Sequence, residues 1–182
     1  MQATISQAFD TWASVTPLTF THKSPPISVS MLGPALELAI SAGPSFDVRQ
    51  AQVVRGITKN YPVDILIGFL FRDHGDPPGL LGPSPVFRDT PEDLGHAYFP
   101  PTGGSRDAVA GDVHFNDRVK WILQAGKTTD LLAVAIHEIG HALGLEHAIN
   151  EPESVMASNS SGRRQLAPVD VEAIQSLYGL PA

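Results

Sequence analysis

The stretch His137-Glu138-Ile139-Gly140-His141-Ala142-Leu143-Gly144-Leu145-Glu146-His147 decides how this chain is read. It has the form H-E-x-x-H-x-x-G-x-x-H, and each interval has a mechanical reason. On a helix, residues four apart stack on one face, so the imidazoles of His137 and His141 can reach a single ion. Glu138 lies one residue on, about 100° around the axis, beside that ion and not on it. Gly144 permits a positive φ where the helix must stop and the chain turn back. His147 then adds a third nitrogen from beyond the turn. Three protein ligands leave a fourth position open to water, which marks a catalytic zinc site and not a closed structural one. In chains of this composition the full pattern is expected by chance in only a few per ~10^5.

Working outward, the pattern sits on a helix expected over Thr129–Leu145, with Thr128 or Thr129 as its cap. Leu132, Ile136, Ile139 and Leu143 form its apolar stripe. A second helix is expected over residues 2–14, where Ile5, Ala8, Phe9 and Trp12 recur at helical spacing. A third is expected from Pro168 to Tyr178, with proline in the first turn and Gly179 behind it. Leu18–Thr21 reads as a short strand, Val63–Phe71 as a central strand buried on both faces, and Val113–Phe115 as another short strand. Between residues 22 and 61 the signals are mixed, with a strand near 27–31 and helices near 34–42 and 47–57. Residues 72–111 form a long Gly/Pro-rich stretch, unusual in a compact domain unless it is functional or tied down.

Composition narrows the class. At 182 residues, with 42% hydrophobic and 17% charged, the chain is expected to be one globular domain spanning 1–182. A net charge of −7 and scattered Lys and Arg argue against nucleic-acid binding and against a polybasic membrane patch. No apolar run approaches the ~20 residues that span a bilayer. The start, MQATISQAFDTW, lacks a basic segment followed by an apolar core, so no signal peptide is expected. The absence of cysteine excludes disulfides, thiolate ligands and a thiol nucleophile.

The long histidine motif resembles that of the metzincins, and within that clan the chain is similar to the matrixins, the catalytic domains of matrix metalloproteinase type. Ser154-Val155-Met156 would supply the Met-turn, with Met156 beneath the metal. QAFDTWASVTPLTF (7–20), VDILIGF (63–69) and LAPVDVEAIQSLYG (166–179) resemble the family's first helix and strand entry, third strand and final helix. Residues 22–61 look like an insertion, and 145–182 like the family's C-terminal subdomain. The resemblance implies an α+β fold of metzincin type, a twisted mixed sheet with the active-site helix beneath it. It also implies a secreted, monomeric zinc endopeptidase acting on proteins or peptides, with Glu138 as general base. An alternative is a catalytically weak or inactive zinc-binding module on the same fold.

The remaining histidines suggest a second metal. His74, Asp76, His96 and His114 offer three nitrogens and a carboxylate, a set that suits structural zinc or else consists of unconnected loop residues. DHGD, GHAYFPP and GDVHFND resemble the segments that carry the matrixin structural zinc, which implies the first. Asp64 and Asp112 match carboxylate positions of a family calcium site, although solvated acidic residues remain open. A second calcium loop departs from the family, with Asn116 and Val119 where acids are usual. The resemblance further implies an extended substrate along an edge strand around Leu94–Tyr98, with Gly95 and Ala97 in contact with it. Ala157-Ser158-Asn159 stands where matrixins carry a Pro-x-Tyr wall. His22 has no expected role.

Overall fold

A computed structural model of the chain describes residues 1–23, 63–70, 87, 93–100, 109–159 and 162–181. In chain order these hold α1 (Gln2–Ala13), β1 (Ile67–Leu70), β2 (Gly95–Ala97), β3 (Val113–Asn116), α2 (Leu131–Ala142) and α3 (Pro168–Tyr178). The strands run β1-β3-β2, with β1 parallel and β2 antiparallel to β3. Mixed strands and flanking helices make this the expected α+β architecture.

Every residue of β3 is buried, because β3 is paired on both sides. Val113 and Phe115 join the main core; His114 and Asn116, by the period of a strand, take the opposite face. Phe115 stacks on Phe69 at 5.1 Å and meets the edge of Trp121 at 5.8 Å. Helix α2 packs on β2, β3 and α1. Ten of its residues are buried, which the apolar stripe alone did not imply. Trp12, fully buried on α1, donates its indole N–H to the Ile136 carbonyl at 2.9 Å, pinning one helix to the other.

Four expectations need correction. Leu18–Thr21 is not a strand; Phe20 instead folds back onto Phe9, with ring centroids 4.8 Å apart. Within 63–70 the strand spans only Ile67–Leu70 and is half-buried throughout, not buried on both faces; among the described strands it pairs with β3. The cap of α2 is Asp130, whose side chain makes no capping bond because Arg164 holds both carboxylate oxygens. Helix α2 also ends at Ala142, before Leu145. Gly144 has φ +100°, its N–H bonds the His141 carbonyl at 2.8 Å, and the Leu145 N–H returns to the Gly140 carbonyl at 2.9 Å. That is a Schellman closure, and only glycine enters it without strain. The strand and helices expected between 24 and 62, and most of the Gly/Pro-rich stretch, lie outside the described residues.

Candidate active site

His137 and His141 face one way on α2 because they lie four residues apart, and the turn at Gly144 returns the chain so that His147 joins them. The His141 Nε2 lies 3.1 Å from His137 Nε2 and 3.2 Å from His147 Nε2. Among the described residues this trio is the one cluster of three or more side chains able to hold a metal ion.

Hydrogen bonding on the far side of two rings tests whether they suit zinc. His137 Nδ1 donates to the Val155 carbonyl at 2.8 Å, and His141 Nδ1 to the Leu145 carbonyl at 2.6 Å. A carbonyl oxygen only accepts, so both protons sit on Nδ1 and both Nε2 atoms present lone pairs. Lone pairs aimed at one another at this distance repel unless a cation lies between them. Zn–N bonds of ~2.0–2.1 Å in a tetrahedron put neighbouring nitrogens about 3.3 Å apart, close to the observed separations. The donor set fits zinc.

Burial acts on the charges. It lowers the His141 pKa to about 4, helped by the neighbouring His137, and it lowers that of His137 against the opposing pull of the Val155 hydrogen bond. Both rings are thereby kept neutral, the form a metal binds. Burial alone raises Glu138 to about 8, and a dication at the three nitrogens would draw it back down. Glu138 faces β2: a Cβ on Gly95 would come 3.4 Å from Glu138 Oε1 and 3.0 Å from the His114 carbonyl. The glycine keeps the strand backbone close to the carboxylate.

Met156 lies beneath α2, its sulfur 2.4 Å from where a Cβ on Gly140 would stand. Its carbonyl accepts the Ala148 N–H at 2.9 Å, tying the loop that carries His147. Thus the turn 154–156 reaches all three histidines: His137 through the Val155 carbonyl, His141 through packing at Gly140, and His147 through Ala148.

The model of the matrixin family of M10 peptidases matches residues 46–179, well over half of the chain. The chain belongs to the matrixins. The match opens inside the segment 22–61, which is expected to be an insertion. Domestic-cat matrilysin is 39% identical over 120 residues, covering 64% of this chain and 41% of that protein. Human matrix metalloproteinase-16 is 33% identical over 183 residues, covering 97% of the chain and 23% of that protein. Mouse stromelysin-1 is 32% identical over 186 residues, covering 100% and 29% respectively. The chain therefore spans less than half the length of each of these relatives. Membership carries the metzincin fold and a catalytic zinc.

The other expected matrixin residues divide. His96 and His114 lie directly opposite in the β2–β3 pair, buried, with Nε2 and Nδ1 3.2 Å apart. His74 and Asp76 lie outside the described residues. Asp64 and Asp112 precede the paired strands β1 and β3, where the Asp64 carbonyl lies 2.5 Å from where a Gly111 Cβ would be. Asn116 spends its amide on the Asp93 carbonyl and the Arg118 N–H, at 2.8 and 3.0 Å. Val119 packs against the core, so this pair serves structure where the family often has acids. Next to His147 a cleft of about 360 Å³ is lined by Ile149, Glu151, Pro152, Ala157, Ser158 and Asn159 among others.

Sequence reasoning missed the supports behind the ligands: the Val155 and Leu145 carbonyls, Trp12, and buried Asp170 on α3. The only signal for Asp170 was its place three residues after Ala167, where it accepts the N–H of the helix cap at 2.8 Å.

Proposed function

We propose that this matrixin chain is a zinc endopeptidase, with His137, His141 and His147 holding the metal and Glu138 acting as general base. The observation that carries this reading is the convergence of three imidazoles, with His141 Nε2 3.1 Å from that of His137 and 3.2 Å from that of His147, beside a buried carboxyl. Zinc, when bound, supplies Lewis acidity that polarises a carbonyl and acidifies water. Glu138 takes the proton of the attacking water and passes it to the leaving amine nitrogen. Its burial keeps bulk water from competing for that proton. Gly95 and Ala97 on β2 offer main-chain groups for an extended peptide, a mode that suits many side chains.

Around this centre, His96 and His114 are proposed to hold a structural zinc, with His74 and Asp76 as the remaining ligands. Asp64 and Asp112 are proposed calcium ligands, and residues 145–182 a C-terminal subdomain. Substrates are proposed to be proteins or peptides met outside the cell, by a monomer. Among the described residues no helix is long and apolar enough to cross a membrane.

The test is a quenched-fluorescence peptide library incubated with zinc-loaded protein. Wild type cleaves members of it, while Glu138→Ala keeps its zinc and loses more than ~10^2 in rate, as removal of a general base does. Wild type that holds zinc yet cleaves nothing overturns the peptidase reading and leaves a zinc-binding module.

A further inference from the structure

The hydrogen bonds at the turn 154–156 form a series that the proposed proton transfers do not use. Asp170 Oδ1 accepts from the Ser154 hydroxyl. That hydroxyl oxygen accepts the Met156 N–H at 2.8 Å. The Met156 N–H and the Val155 carbonyl are the two ends of a single peptide group, and that carbonyl accepts Nδ1–H of His137 at 2.8 Å. Every donor in the series points from His137 towards the carboxylate. Asp170, Ser154 and Met156 are each 2% exposed or less, so water does not interrupt it.

Such a series is polarised in one direction. A carboxylate drawing on the serine O–H makes its oxygen a better acceptor for the Met156 N–H. Amide resonance passes that pull to the Val155 carbonyl, which becomes a better acceptor for His137. Metal-bound histidines commonly donate their other N–H to a carboxylate or carbonyl, which orients the ring and raises its basicity as a ligand. Here the carbonyl is itself backed by a buried carboxylate. We propose that Asp170 is a positioning residue which, through Ser154 and the Val155–Met156 peptide, holds His137 in its Nδ1-protonated form and strengthens Nε2 as a metal ligand. The inference rests on the reading that His137 binds zinc.

Asp170 also has a plain structural duty, since its other oxygen accepts the Val155 and Ala167 N–H groups at 3.0 and 2.8 Å. Two variants separate the duties. Ser154→Ala cuts the series and leaves both of those bonds. Asp170→Asn keeps an oxygen for them, but presents an amide donor to Ser154 and so reverses the direction. His141 is an internal control, because its Nδ1–H ends on the Leu145 carbonyl.

Zinc affinity is measured by competition with a chromophoric chelator, and the histidine side-chain N–H signals by NMR of the zinc-loaded protein. Thermal unfolding of the zinc-free variants is followed in parallel. Both substitutions are expected to weaken zinc binding ~10-fold or more, within the range known for such partners. They move the His137 Nδ1–H signal upfield and leave that of His141 in place. Ser154→Ala with zinc affinity within ~2-fold of wild type, or with both signals moving together, overturns the relay alone. Wild type that fails to bind zinc overturns the metal reading beneath it.

Discussion

Gly140 sits between His137 and His141 on α2, and replacing it with alanine opposes two effects of known size. Alanine is favoured over glycine in a helix interior by about 1 kcal/mol, so at an open position Gly140→Ala would stabilise the protein. Position 140 is not open. The new Cβ would lie 2.4 Å from Met156 Sδ, 3.1 Å from Met156 Cε and 3.0 Å from Trp12 Cζ2. Ordinary contact between such atoms is ~3.5–4.0 Å, so the sulfur must retreat by more than about 1 Å. A methionine at the surface would swing aside at little cost. Met156 is 2% exposed and Trp12 fully buried, so neither has space to enter.

Overpacking of this kind costs about 1–3 kcal/mol, and two immobile neighbours place the case in the upper half of that range. Subtracting the helix gain leaves a net loss of about 1–2 kcal/mol. At ~2–4 °C per kcal/mol for a chain of this length, Tm falls by about 2–8 °C. The assay is thermal unfolding in a chelator, so that zinc does not contribute. A double-mutant cycle isolates the contact: in a Met156→Ala background the same substitution should become neutral or stabilising. If Gly140→Ala raises Tm in the wild-type background, the close approach of the Met156 turn to α2 is wrong, and with it the support assigned to His141.

Three further outcomes follow from the same contacts. Arg164→Met strips the bidentate partner from Asp130, which is fully buried at the start of α2, and should cost about 2–4 kcal/mol in chemical denaturation; Arg163→Ala, which breaks an exposed pair with Glu153, should cost under ~1 kcal/mol. Trp12→Phe removes the buried bond to the Ile136 carbonyl and should lower stability by about 1–2 kcal/mol, with zinc affinity little changed because Trp12 stands outside the series of bonds that ends on His137. Free zinc a thousandfold above its Kd should stabilise the protein by about 4 kcal/mol over the chelated form, read as a reversible rise in Tm together with recovery of peptide cleavage.

The three helices were legible because their signals are local. Apolar spacing placed α1, proline and glycine bracketed α3, and the motif itself demanded α2. The strands were less so. VDILIGFLF reads as buried on both faces by its composition, but burial depends on what pairs and packs with a strand. Among the described strands it is β3, only four residues long, that is paired on both sides and buried throughout. Asp130, Thr128 and Thr129 are all ordinary cap residues by local rules, and what the Asp130 carboxylate does instead of capping is decided by Arg164, thirty-four residues away.

The site divides in the same way. Side chains proposed to meet one metal recur at fixed intervals along a helix and its closing turn, so His137, Glu138, His141 and His147 could be read directly. What orients those ligands are mostly backbone carbonyls, and every residue carries one. Val155 and Leu145 act through groups that leave no mark in their residue type. Asp170 does leave a mark, but a carboxylate three residues after a helix cap has an ordinary local duty that conceals any other. Such a residue becomes visible only when its second oxygen is traced through Ser154 to the peptide that His137 leans on. If only the first layer mattered, every substitution that spares the three histidines and Glu138 would leave zinc affinity where it was; the series through Ser154 requires that removing one buried hydroxyl, with no metal contact of its own, does not.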